Sequence, residues 1–254
     1  MTLILALGNS DQVIQVSDRR LSRQGQLVED ESSKAGFLEC LNARLPFGFT
    51  GLAEHGEFRT RDWLLEALQD SGPPEYAAKE VLERLRSRAS DTFRLHPALQ
   101  SLHRADRRLS IMFSGYLYHH TPPLAAFAIL TNFQNIPGGP DEAEACDEFR
   151  LTFASERRPS DGEPTLIQRV GNWRAMTGDD ESTLRSFLED RKPPQAIIGE
   201  AIELFRQIAD RPAANTRLEG SSLSYACPVT GCCRLKAGTI PPSIAMSVTC
   251  TMPF

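Results

Sequence analysis

Thr2, near the start of the chain, is followed at equal sixteen-residue intervals by Asp18 and Lys34. Removal of Met1, the usual fate of an initiator methionine before a small residue, would leave Thr2 with a hydroxyl and a free α-amine on one residue. A hydroxyl attacks a carbonyl only once a base takes its proton, and an α-amine with an ordinary pKa of roughly 7.7–8.0 can do that near neutral pH. Lys34 would supply a positive charge that favours the neutral amine and steadies an alkoxide, while Asp18 pairs with Lys34 and fixes its position. Taken singly, a threonine at a strand start, an aspartate at a strand end and a lysine in a polar loop are most often structural. Together they point to nucleophilic catalysis.

The elements that must position these residues are legible around them. Leu3-Ile4-Leu5-Ala6-Leu7 is a continuous apolar run, as expected of a short strand covered on both faces. Gly8-Asn9-Ser10-Asp11 supplies turn residues, and Gln12-Val13-Ile14-Gln15-Val16-Ser17 returns as a β-rich segment ending at Asp18. Such a hairpin carries Asp18 back beside the chain start.

Thr2-Leu3-Ile4 and the run Val13-Ile14-Gln15-Val16-Ser17-Asp18-Arg19-Arg20-Leu21-Ser22, with Lys34 beyond it, resemble the opening of the proteasome β-subunits and their bacterial relatives. These are threonine-dependent N-terminal nucleophile hydrolases. The resemblance implies an α+β fold, a four-layer αββα sandwich of two antiparallel sheets flanked by helices, in one domain over residues 1–254. It also implies that Thr2, Asp18 and Lys34 are catalytic and that peptide bonds are cleaved without a cofactor. Phe49-Thr50-Gly51-Leu52-Ala53-Glu54 is similar to the family's glycine turn, which makes Gly51 the candidate oxyanion donor, a role that needs a backbone amide free of a crowding side chain. The spacing from Lys34 to this turn is longer than usual and points to an insertion at 41–47.

Thr177-Gly178-Asp179 resembles the family's strand-to-helix turn, with Asp179 where a serine usually holds the amine, and Asp210 stands for a later acid of the same supporting shell. A carboxylate at 179 would accept a hydrogen bond from the amine yet also favour its protonated form. The segment after Asp210 departs from the pattern, with Gly220-Ser221-Ser222 opening a strand late. A rival reading follows from these departures: a non-catalytic subunit or binding scaffold that keeps the sandwich. Family members enclose their sites in rings, so a homo-oligomer acting on a peptide or unfolded protein is expected. The sequence does not specify whether an ATPase partner feeds it.

Elsewhere, apolar spacing predicts helices over 54–69, from about Glu75 into the nineties, from Thr177, and over 194–209, the last with Ile197, Ile198, Ala201, Ile202, Phe205 and Ile208 on one stripe. Strands are expected over 109–118, 124–131, 149–154 and 165–176, with a solvated inserted loop near 135–147 and a tail at 241–254 that the pattern does not place. His119-His120 reads as an exposed turn.

The chain has 254 residues with 41% hydrophobic and 24% charged, enough for one sizeable core, and a net charge of −5 with mixed signs argues against a nucleic-acid partner. No apolar run reaches the roughly 18 residues of a membrane span, and the start lacks a signal-peptide pattern, so a cytoplasmic protein is expected. Cys227, Cys232 and Cys233 cluster late, but the adjacent pair makes poor joint ligands, so no metal is expected.

Overall fold

The computed structural model describes residues 3–18, 21–23, 26–29, 34–135, 141–142, 144–155, 165–171, 173, 176–211 and 246–251. Strands β1 (Leu3–Gly8) and β2 (Val13–Asp18) form the expected hairpin, with Ile4 opposite Ser17 and Gly8 opposite Val13. Asn9 builds the turn, its Oδ1 accepting the amides of Asp11 and Gln12 at 2.9 Å each. A small hairpin of β3 (Leu21–Arg23) and β4 (Gln26–Glu29) follows, then β5 (Ala35–Cys40) and β6 (Ala43–Gly51). Residues 41–47 therefore do not interrupt the sheet: Leu41 and Asn42 turn a tight hairpin and the rest is half of β6, paired with β5 from Cys40↔Ala43 onward.

The helix expected over 54–69 starts later. Glu54 and His55 (β7) pair with Phe58 and Arg59 (β8) around Gly56, whose φ of +57° suits a tight turn. Helix α1 (Thr60–Asp70) begins where Thr60 ties itself to the preceding strand end, Oγ1 donating to the Leu52 carbonyl at 2.7 Å and N–H to the Ala53 carbonyl at 2.9 Å. Helix α2 (Ala78–Leu95) buries Val81, Leu82, Leu85, Ala89 and Phe93, the face its sequence spacing predicts. A short α3 (Pro97–Gln100) leads to β9 (Leu109–Leu117) and β10 (Leu124–Thr131), then β11 (Arg150–Ser155) and β12 (Leu166–Gly171), the last much shorter than the expected 165–176.

Helix α4 (Gly178–Glu189) opens with a capping box: Thr177 Oγ1 accepts the Asp180 amide and the Asp180 carboxylate accepts the Thr177 amide. Helix α5 (Pro194–Asp210) follows, with proline at its first turn. Residues 246–251 of the tail form β13 (Met246–Thr251), the edge strand beside β2.

Two antiparallel sheets result, one ordered β12-β1-β2-β13 and the other β11-β10-β9-β6-β5. Strand β1 is buried on both faces because its alternate residues serve two layers. Leu3, Leu5 and Leu7, with Ile14 and Val16, pack under α4 and α5, whereas Ile4, Ala6 and Val13 pack against Met112, Tyr116, Ala125, Phe127 and Ile129 of the other sheet. A third cluster joins that second sheet to α1 and α2 through Phe47, Phe49, Phe113, Leu64, Leu82 and Phe93. Three apolar clusters separate four layers, which is the αββα sandwich expected. No helix among the described residues is long and apolar enough to cross a membrane.

Residues 141–142 and 144–147 fold back onto the end of β10, with Glu142 N–H donating to the Phe133 carbonyl at 2.9 Å and Cys146 N–H to that of Asn132 at 2.7 Å, and Ala145 is buried. The His119-His120 turn packs against the β5–β6 hairpin, His119 Nδ1 lying 3.1 Å from Asn42 Nδ2.

Candidate functional site

The registers bring four strand ends of the first sheet to one edge: the start of β1 at Leu3, the end of β12 at Gly171, the end of β2 at Asp18 and the start of β13 at Met246. The second sheet brings to the same end the start of β5, the end of β6 at Gly51 and the end of β10. Gln134 joins the two sheets there, its Oε1 accepting the Gly171 amide at 3.3 Å. The opposite end is closed by other bonds: Asn9 Nδ2 donates to the Leu188 carbonyl at 3.0 Å, Gln12 Nε2 to that of Lys192 at 2.8 Å, and Tyr116 O–H to the Asn9 carbonyl at 3.1 Å.

Of the residues singled out by spacing, Thr2 lies outside the described residues, as do the side chains of Asp18 and Asp210; Asp18 itself closes β2 and Asp210 closes α5. Lys34 precedes β5 and is only 4% exposed, although lysine is rarely buried without compensation. Its carbonyl accepts the Phe49 amide at 3.2 Å. A Cβ built on Gly48 would stand 3.0 Å from Gln15 Nε2, 3.4 Å from Ile4 Cδ1 and 3.7 Å from the Lys34 carbonyl oxygen, so side chains of β1 and β2 and the Lys34 backbone face the same point of β6. The first two strands and Lys34 thus converge across the gap between the sheets.

Gly51 ends β6 at a φ of +106° and is exposed. A side chain there would put its Cβ 2.0 Å from the Arg108 carbonyl oxygen, so the position is reserved for glycine by space as well as by backbone angle. Backbone amides alternate sides along a strand. Phe49 donates toward Lys34 and Leu52 donates to Arg108 on the β9 side at 2.8 Å, so the Gly51 amide lies on the Lys34 side of β6.

Asp179 stands exposed in the first turn of α4, its carbonyl accepting the Thr183 hydroxyl at 2.9 Å. The neighbours of the two expected shell acids are joined instead: Arg211 donates through Nη1 and Nη2 to both oxygens of Asp180 at 2.5 and 2.9 Å, tying the start of α4 to the end of α5. These two bonds, reinforced by the Thr177 amide, hold the Asp180 carboxyl down to about 2. The Thr177-x-x-Asp180 spacing was the available signal, since it marks a helix start that fixes the aspartate for a partner.

Gln15, its partner Ser114 and Gln134 are further polar residues between the sheets that gave no sequence signal. Gln15 is 1% exposed, accepts Ser114 O–H at 2.9 Å through Oε1, and has no partner for Nε2 among the described residues. Gln134 is 2% exposed. Among the described residues no group of three His, Cys, Asp or Glu side chains gathers to hold a metal; Cys227, Cys232 and Cys233 lie outside them.

No family model and no curated protein matches the chain. Solved structures to which the chain is similar include Anbu (ancestral beta-subunit) from Yersinia bercovieri, 12% identical over 83% of this chain and 76% of that one, with a TM-score of 0.47. Eukaryotic HslV from Trypanosoma brucei is 16% identical over 82% of this chain and 90% of its own, with a TM-score of 0.40. The Anbu complex of Pseudomonas aeruginosa, described as a helical assembly, is 12% identical over 83% and 76%, with a TM-score of 0.44. Likeness at this level assigns neither a family nor an activity.

Proposed function

We propose that this chain is an N-terminal threonine hydrolase of the proteasome type that cleaves peptide bonds, with Thr2 as nucleophile once Met1 is removed. The observation that carries the reading is the burial of Lys34, 4% exposed, with its carbonyl and the side chain of Ile4, two residues from Thr2, both facing Gly48 of β6. Burying an ammonium is costly unless it is compensated or used.

In the proposed reaction the Thr2 amine takes the hydroxyl proton as Oγ bonds to the substrate carbonyl carbon. Negative charge then gathers on the carbonyl oxygen, where the Gly51 amide, on the Lys34 side of β6, is suited to receive it. The protonated amine returns its proton to the leaving nitrogen, the C–N bond breaks, and an ester to Thr2 remains. Water, deprotonated by the same amine, attacks that ester, releases the acid and restores the hydroxyl. Lys34 keeps the amine neutral by its charge, and Asp18, at the end of the neighbouring strand, balances Lys34.

Intact-mass measurement and turnover of an unstructured fluorogenic peptide test the proposal. The expected result is a mass lacking Met1 and turnover that Thr2→Ala abolishes without changing the thermal midpoint. A chain that retains Met1 on most molecules, or a Thr2→Ala variant as active as the wild type, would refute it. The rival reading, a silent scaffold, draws on the exposure of Asp179, and it predicts no covalent capture of the Met-trimmed protein by peptide epoxyketones, which require both hydroxyl and amine. Self-association into a closed assembly belongs to the same proposal.

A further inference from the structure

We infer that Gln134 is a positioning residue that locks the two sheets together at the end where the nucleophile belongs, an inference that rests on the reading of Thr2 as nucleophile. Gln134 lies three residues beyond β10 and is 2% exposed. On one side its amide donates to Thr131 Oγ1 at 3.1 Å, and that oxygen shares a 2.6 Å hydrogen bond with Ser110 Oγ. Ser110 is the register partner of Thr50, the residue before Gly51. On the other side the Gln134 carboxamide crosses to the first sheet, where Oε1 accepts the Gly171 amide at 3.3 Å. Gly171 is the register partner of Leu3, the residue after Thr2. A chain of hydrogen bonds and strand pairing therefore runs from the neighbour of the candidate oxyanion donor to the neighbour of the candidate nucleophile.

The two anchors are themselves fixed. Gly171 has a φ of +90°, and its carbonyl accepts the Trp173 amide at 3.0 Å, so both of its main-chain groups are held. Arg150 donates to the Gln134 carbonyl at 3.3 Å while paired with Glu142 at 2.9 Å, which holds the residue from the side of the folded-back loop. Among the described residues the neighbouring contacts between the sheets are the apolar ones of Ile4, Met112, Ile129 and Val170 and, further along, the 2.9 Å bond from Ser114 Oγ to Gln15 Oε1. Apolar packing is non-directional and tolerates a slide, whereas a hydrogen bond prescribes distance and direction. A displacement of 1 Å between reacting groups can lower a rate by about 100-fold, so one such bond is enough to matter for rate without touching substrate.

The test compares Gln134→Leu, which removes the acceptor at similar size, with Gln134→Glu, which keeps one. Turnover of the fluorogenic peptide should fall by about tenfold or more in kcat with KM within about twofold for the leucine variant, and the glutamate variant should recover most of it. Amide exchange followed by NMR gives a readout independent of activity: in Gln134→Leu the Gly171 and Leu5 amides should exchange faster, while Gly8, at the far end of the same strand, should not change. Thr2→Ala separates the two claims, because it should abolish turnover and leave exchange as in the wild type. A leucine variant with wild-type kcat, or with unchanged exchange at Gly171, overturns the inference. If the wild type itself turns over no peptide, the reading of Thr2 fails, and unchanged or faster exchange at Gly171 still decides against or for the lock.

Discussion

Replacing Gly51 by alanine should be among the most damaging single-methyl changes in the molecule, and its size follows from the backbone around it. The added Cβ would lie 2.0 Å from the Arg108 carbonyl oxygen and 2.9 Å from its carbon, both main-chain atoms of the neighbouring strand end. Neither can swing aside as a side chain would. A φ of +106° adds a conformational cost of about 1–2 kcal/mol for a residue with a Cβ. Relief requires moving the strand end away from Arg108, which sacrifices the 2.8 Å bond from the Leu52 amide, about 1 kcal/mol. A loss of about 3 kcal/mol results, large for a single substitution. Urea unfolding, followed by tryptophan fluorescence, would show it as a lowered midpoint at unchanged slope. Gly48→Ala is the control inside the same strand: its Cβ would meet Gln15 Nε2 at 3.0 Å and Ile4 Cδ1 at 3.4 Å, ends of side chains that can give way, so about 1 kcal/mol or less is expected. Gly115→Ala is the control for function, since it would meet the Arg44 carbonyl oxygen at 2.0 Å as Gly51 meets Arg108, but toward the closed end of the sandwich. It should destabilise comparably while the surviving folded fraction keeps its turnover, whereas Gly51→Ala should lose both. A Gly51→Ala midpoint no lower than that of Gly48→Ala would refute the steric reasoning, and a folded, fully active Gly51→Ala would refute the oxyanion role.

Lys34→Met, which removes the charge at similar length, should cut turnover by about 100-fold or more while moving the unfolding free energy by less than about 1 kcal/mol, because an apolar replacement of a buried ion is often neutral; a large stability loss with retained turnover would make Lys34 purely structural. The Asp180 carboxyl is held at about 2 by Arg211, below its usual 3.8, so the contact contributes fully above the unfolded value and is lost as pH falls through about 4 toward 2. Asp180→Asn should therefore cost about 1–2 kcal/mol at pH 7, after allowance for the partial exposure of Arg211, and that difference from wild type should vanish by about pH 2, measured by urea midpoints across pH. Cys40 is buried and its thiol is pushed up to about 11, so at pH 8 it should resist iodoacetamide in the folded protein and be alkylated only after unfolding, as peptide mapping would reveal. Light scattering at micromolar concentration should give a mass above one chain; a monomer would count against a closed assembly.

What could be read from the sequence was local. The stripe of Ile197, Ile198, Ala201, Ile202, Phe205 and Ile208 is buried in α5 as its spacing requires, and the run from Leu3 to Leu7 is buried on both faces. Strand β6 was hidden behind the expected insertion at 41–47, since Pro46 and Gly48 sit between its buried Leu45, Phe47 and Phe49, yet both pair in register with β5, Pro46 with Phe37 and Gly48 with Ala35. The helix expected from Glu54 began late because Phe58, which shares the apolar spacing of Leu64 and Leu68, belongs to the small hairpin before α1. Strand β13 could not be placed at all: its partner β2 lies more than 200 residues earlier, and no local pattern encodes a pairing of that range. At the site, Gly51 was nominated by its turn, while Gln15, Gln134 and Arg211 passed unnoticed. What distinguishes them is a partner on another element, joined by burial for the two glutamines, neither of which spacing records.

The two ends of the sandwich are built differently, and the difference bears on where chemistry can occur. At the β1–β2 turn, Asn9, Gln12 and Tyr116 bind main-chain carbonyls of the last turn of α4, of the α4–α5 connection and of the β1–β2 turn itself, which ties the layers together there. At the other end the Gln134 carboxamide ties the two sheets and the Asp180–Arg211 pair ties the two helices of the outer layer, while Gly51 is exposed and Lys34 is buried. A substrate backbone needs an amide to meet and a charge that water does not screen, and it needs both within reach of the chain start. The end at which β1 begins combines an exposed glycine with a buried lysine, and among the described residues few polar bonds tie its layers together, so Gln134→Leu should lower turnover at a smaller cost in stability than a change at the Asn9 turn.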